Sequence, residues 1–144
     1  MDNDEHILIS LESRHAENIF AGHKRVELRR RTMNVSPGAT LWIYVKLPVG
    51  SIVGHARIGK VHASSPVALW RRYGPVSGLS RREFFEYFNG TEQGVALVLE
   101  QSTRLQISLS LAELRKLDGG FQPPQFFARL NSEHPLHEAV TASN

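Results

Sequence analysis

The stretch Ser51-Ile52-Val53-Gly54-His55-Ala56-Arg57-Ile58-Gly59-Lys60-Val61 constrains the fold more than any other. Its β-branched residues favour a long strand, and Gly54 and Gly59 interrupt it twice. Glycine inside a strand marks a bulge or a sharp bend, the device by which a sheet turns a barrel corner. Further strands are expected at 7–11, 40–46, 94–100 and 104–109, each a short apolar or β-branched run. Strands dominate and are short, so the expected class is α+β: a small mixed β-barrel with helices capping its openings. A mixed sheet with helices on one face is the competing layout.

Helices announce themselves by their ends. Ser13 to Gly22 carries Ala16, Ile19 and Phe20 at helical spacing, with Ser13 as the expected N-cap and Gly22 where a left-handed cap belongs. Ser65-Pro66 opens a helix through Arg72 with the cap and first-turn proline in their preferred places. Capping boxes at Ser80-Arg81-Arg82-Glu83 and Ser110-Leu111-Ala112-Glu113 open two more. Pro123-Pro124-Gln125 is expected to precede a final helical turn, Phe126 to Leu130. The organisation expected is one domain over 7–130, an N-terminal tail over 1–6 and a flexible polar tail over 131–144.

At 144 residues the chain suits one domain with a proper core. It has no cysteine, which excludes a disulfide framework, a thiolate metal site and a cysteine nucleophile together. No run approaches the roughly 20 apolar residues of a membrane span, and no signal-like segment opens the chain, so a cytoplasmic protein is expected. The formal charge of +3 is modest, yet basic residues cluster at 29–31, 71–72 and 81–82 while several acids fall near the ends. A basic body attracts phosphate or another anion.

The densest charge lies in Lys24-Arg25-Val26-Glu27-Leu28-Arg29-Arg30-Arg31, just past the first helix. In an extended segment Val26 and Leu28 share one face, and Arg25, Glu27, Arg29 and Arg31 the other. One carboxylate among arginines makes an acceptor ringed by donors. A solvated strand face shows the same pattern, so spacing alone leaves both meanings open. Nucleophile elbows, phosphate loops and dinucleotide fingerprints are missing from the sequence. His134 and His137 have helical spacing but straddle Pro135, and no metal site or cofactor is expected. Among the aromatics, most of which are expected in the core, Tyr44 and Trp70 are the candidates for stacking a base beside the arginines.

The chain resembles the ASCH family of PUA-like barrels, in the branch described as predicted transcriptional regulators. The likeness spans roughly 7–130 and is carried by Ile7-Leu8-Ile9-Ser10-Leu11, Ala16 to Lys24, Glu27 to Arg31, Ile43-Tyr44, Ser65-Pro66, Phe84 to Gly90 and Pro123-Pro124-Gln125. It implies a small barrel whose cleft binds RNA or a modified nucleotide, with the signature falling on Gly22, Lys24, Glu27 and Arg29. The expected binding set is Lys24, Glu27, Arg29, Arg31, Tyr44, Lys46 and Trp70, and the expected partner is RNA or a modified nucleoside. Family members also include amidohydrolases of N4-acetylcytidine and ribonucleases, in which case Lys24 and Glu27 are the catalytic candidates. Two departures stand out: Lys46-Leu47 precedes Pro48 where relatives carry small or hydroxyl residues, and Glu27 stands where the amidohydrolases place a threonine.

Overall fold

The computed structural model describes residues 4–143. Of the N-terminal tail expected over 1–6, residues 1–3 lie outside the described residues, and His6 already belongs to a strand. Along the chain come β1 (His6–Leu11), α1 (Ser13–Phe20), β2 (Val26–Arg29), β3 (Thr40–Val45), β4 (Ser51–Ser64) and α2 (Pro66–Tyr73). A short 3-10 turn (Gly74–Val76) leads to α3 (Arg81–Tyr87), β5 (Gly94–Ser110), α4 (Leu111–Leu117), β6 (Ala128–Arg129) and α5 (His137–Ala142). The strands form one sheet in the order β2-β5-β4-β3-β1-β6, curled into a half-barrel. β1 runs parallel to β3, and every other neighbouring pair is antiparallel.

β4 and β5 are the long bent ribbon of this sheet. Their register shifts at Ile52/Gly54, His55/Arg57 and Ile58/Lys60, so both glycines of the long strand fall at irregularities, as a barrel corner requires. A Cβ at Gly54 would collide with the Thr103 carbonyl and the ring of Phe20. The two strands expected at 94–100 and 104–109 are one strand, because Gln101 takes a left-handed conformation (φ 52°) that absorbs the bend without ending the pairing.

Pleat alternation divides the apolar residues between three layers. Inside the curl lie Ile7, Ile9, Leu11, Leu41, Ile43, Val45, Ala56, Ile58, Val95, Leu97 and Leu99, stoppered by Ile19 of α1 and by Met33. On the outer face Val26, Leu28 and Ala96 pack under α2 and α3 through Leu69, Tyr73, Phe84 and Phe88. A second outer layer places Leu8, Trp42, Tyr44 and Ile52 under α4 and the C-terminal segment. No helix among the described residues is long and apolar enough to cross a membrane.

Local chemistry ends the helices where the sequence indicates. Ser65 accepts from the Ala68 amide ahead of Pro66, and both capping boxes are complete. At α1 the N-cap is Glu12 rather than Ser13, and no side chain caps it. Two C-terminal expectations fail. Phe126 to Leu130 forms no helical turn: β6 pairs Ala128 and Arg129 with Leu8 and Ile7. The segment from 131, expected as a polar tail, instead carries α5, with Leu136 and Val140 fully buried against Leu8 and Trp42.

Candidate functional site

A curled sheet that does not close leaves a seam between its edge strands, here β2 and β6. Arg29 spans it, its Nη1 donating to the Phe126 carbonyl at 2.9 Å. The seam opens into a cleft of about 1300 Å³ lined by β2, the loop after it, one face of α3 and the segment ahead of β6. Glu27 pairs across the ladder with Leu97 and Arg29 with Val95, both interior residues. The charged face of β2 therefore points into the barrel interior at the place where the barrel lacks a strand, while Val26 and Leu28 face outward beneath the helices.

Gly22 sets the geometry. Its φ of 84° ends α1, with the Gly22 amide on the Ile19 carbonyl and the His23 and Lys24 amides both on the Asn18 carbonyl. This turns Lys24 inward, where it is only 4% exposed and its Nζ donates to the Ser77 carbonyl at 2.7 Å. Burial pushes the Lys24 pKa below the usual lysine range; Glu27 opposes that shift, and Arg14 and Arg29 add to it. Glu27, 7% exposed, meets Arg29 Nη2 at 3.0 Å.

Around this trio, buried polar atoms stand without partners. Ser10 Oγ, His15 Nδ1 and Arg29 Nε are all shielded from solvent, make no hydrogen bond and belong to residues lining the cleft. Buried polar groups are ordinarily paired, so three together define positions that a ligand can satisfy. Burial, followed by the charges of Lys24 and Arg14, holds His15 below the ordinary histidine pKa, against Glu27 and Glu12. Tyr87 forms the α3 wall, its hydroxyl donating to the Leu28 carbonyl at 2.9 Å.

The cleft is mixed in charge rather than purely basic. Arg30 and Arg31 line it beside Lys24 and Arg29, but so do Glu83, Glu86 and Glu92. Two of these acids are bound to arginine: Glu83 to Arg14 at 2.7 Å, which with the Ser80 cap holds its pKa at about 2, and Glu86 to Arg82 at 3.0 Å. Arg30 is engaged with Thr91 Oγ1 and the Asn89 carbonyl.

Of the residues singled out in the sequence, Lys24, Glu27, Arg29 and Arg31 come together in the cleft. Tyr44, Lys46 and Trp70 do not. Tyr44 is 1% exposed in the outer layer under α4, edge-on to Phe121. Lys46 is exposed beyond the end of β3, on the turn that follows. Trp70 packs on Phe84 and Phe85 between α2 and α3. The aromatics that do line the cleft are Tyr87, Phe126 and Phe127. His134 and His137 serve the C-terminal fold, His134 Nδ1 accepting from the Leu136 amide and His137 Nδ1 meeting the Leu130 carbonyl.

The same architecture occurs in known proteins. A family model described as a domain of unknown function, DUF365, matches residues 6–129. An ASCH domain-containing ribonuclease of Zymomonas mobilis is 35% identical over 126 residues, which are 88% of this chain and 84% of that protein. The crystal structure of an ASCH protein from Zymomonas mobilis superposes with a TM-score of 0.90 at 32% identity, covering 99% of this chain and 98% of the other. The N-terminal domain of Staphylothermus marinus McrB, at 8% identity and a TM-score of 0.59, shares the fold alone. With 35% identity to the Zymomonas ribonuclease over 88% of its length and a family model matching residues 6–129, the chain belongs to the ASCH domain family, in the part matched by the DUF365 model.

Proposed function

We propose that this protein binds RNA, or a modified nucleotide of the kind found in RNA, in the seam cleft. The observation that carries the reading is that Ser10 Oγ, His15 Nδ1 and Arg29 Nε are buried and unpartnered and belong to residues that line one cleft together with Lys24 and Glu27. Arginine and lysine meet phosphate, while a carboxylate accepts from an exocyclic base amine. The cleft lies inside a barrel seam, and only an unpaired base can be splayed into such a space.

A second reading, cleavage, is favoured by the 35% identical relative described as a ribonuclease and by His15, which burial keeps toward its neutral form. In that chemistry a neutral imidazole takes the proton of a ribose 2′-hydroxyl, whose oxygen attacks the neighbouring phosphorus. The 5′-oxygen leaves and takes up a proton from water, the imidazolium returns its own proton to solvent, and Arg29 and Lys24 stabilise the charge on the phosphoryl oxygens. The products are a 2′,3′-cyclic phosphate and a free 5′-hydroxyl.

One experiment with two readouts tests both. Single-stranded RNA is titrated at about 50 and about 200 mM salt, and two to four phosphate contacts predict a roughly 7- to 50-fold weakening at the higher salt. Lys24→Ala and Arg29→Ala are expected to weaken binding in a folded protein. Mass spectrometry of the same samples reads cleavage: cyclic-phosphate ends that vanish in His15→Ala support it, and intact RNA after long incubation rejects it. Absence of binding to any RNA or nucleoside at the lower salt rejects the main reading.

A further inference from the structure

We propose that Phe126 is a stacking platform for an unpaired nucleobase at the mouth of the cleft, a role that rests on the reading of the cleft as an RNA site. Its neighbours show why Phe126 is unusual. Phe127 is half-buried against the interior core, with the Arg129 guanidinium over its ring at 5.4 Å. Phe126, one residue earlier, lines the same cleft but is 60% exposed. The barrel gains little from an aromatic side chain left in water.

What holds the backbone that carries the ring is the recognition set itself. The Phe126 carbonyl accepts from Arg29 Nη1 at 2.9 Å, and Arg29 Nη2 holds Glu27 at 3.0 Å, so the backbone carrying the ring is tied to the carboxylate inside the cleft. Pro123 and Pro124 stiffen the approach from the other side. A ring presented on fixed backbone loses little freedom when it is covered. Arg31 stands over it with its guanidinium 5.6 Å from the centroid, supplying a cation for the phosphate of the base that stacks. Aromatic ring, neighbouring arginine and a cleft that takes an adjacent nucleotide are the parts of a single-strand site. A duplex keeps its bases stacked on each other and offers none to the ring.

The test measures equilibrium binding of a short oligoadenylate and of the matching A·U duplex to wild type, Phe126→Ala, Phe126→Trp and Lys24→Ala. The expected result is that Phe126→Ala weakens the single strand between roughly 5- and 150-fold, leaves duplex binding unchanged, and melts like wild type. Phe126→Trp retains affinity, and its added fluorescence is quenched by oligoadenylate. Full single-strand affinity in Phe126→Ala overturns the platform while Lys24→Ala, weakened in the same assay, keeps the RNA reading standing. Equal losses for strand and duplex, or no rescue by tryptophan, also overturn it. If wild type binds neither probe, the platform falls, and the reading of the cleft as an RNA site is decided by the salt titration of RNA and nucleosides described above.

Discussion

Lys24 illustrates the cost of this site at the scale of one side chain. An ammonium group that is 4% exposed has lost most of its hydration and regains one carbonyl bond and the attraction of Glu27. Its folded pKa lies below its unfolded value, so the folded chain binds fewer protons as pH rises between the two. Stability therefore increases with pH through that alkaline window, and at neutral pH the charged lysine is a net burden. Lys24→Met is expected to unfold within about 2 kcal/mol of wild type or above it, since a lost bond from a charged donor to the Ser77 carbonyl costs about that much, while RNA binding drops. Denaturant unfolding and RNA titration on the same preparation check this; destabilisation beyond about 3 kcal/mol would make Lys24 a structural residue. The sequence exposed this residue because Gly22 fixes the turn and the charges repeat at strand spacing. It did not expose Ser10 and His15, whose importance arises only when β1 and α1 are brought to the seam by the curl of the sheet.

At the scale of elements, the segments that local chemistry specifies are those that sequence alone locates. Ser80 with Glu83, Ser110 with Glu113, and Ser65 with Pro66 each satisfy backbone donors within four residues, and their helices begin there. β6 and α5 depend instead on distant partners. β6 is two residues long and extended because the edge of β1 accepts it, and α5 is held by Leu136 and Val140 under Trp42 and Leu8. That outer layer also contains a proton-sensitive contact. Trp42 Nε1 donates to His6 Nδ1 at 3.1 Å, and the His137 ring of α5 stands edge-on to His6 at 5.2 Å. Burial, then the charge of His137, holds His6 below its ordinary pKa, with Asp4 opposing. The unfolded chain therefore takes up a proton that the folded chain refuses, so the full contribution is present above about pH 6.5 and is lost as pH falls below it. Denaturant midpoints are expected to decline between about pH 7.5 and about pH 5 in wild type, and to decline less in His6→Gln, which keeps an uncharged acceptor for Trp42. An equal decline in both proteins would rule out His6 as the sensor.

For the whole molecule, the open seam is what joins fold to function. A closed barrel would fill the position between β2 and β6 with a strand; here Arg29 bridges it, and the space left over is the cleft. The bent strands β4 and β5 hold the far side by continuous pairing, whereas the seam side is held by side chains and by the short ladder of β6. Resistance to local opening should follow the same division, because segments with few buried contacts open first. Arg29→Lys keeps a positive charge beside Glu27 but removes the planar fork that reaches both Glu27 and the Phe126 carbonyl. Amide hydrogen exchange is expected to accelerate in residues 121–130, including the Leu130 amide bonded to the His6 carbonyl at 2.8 Å, while amides of the β4–β5 ribbon keep their protection. The unfolding free energy is expected to fall by about 1 kcal/mol or less, since one bond is lost without stranding Glu27 among apolar groups. Faster exchange across the ribbon as well would mean that Arg29 supports the barrel globally. Unchanged exchange over 121–130 would mean that the cleft wall stands without its bridge, and that Arg29 is held at the seam for the ligand alone.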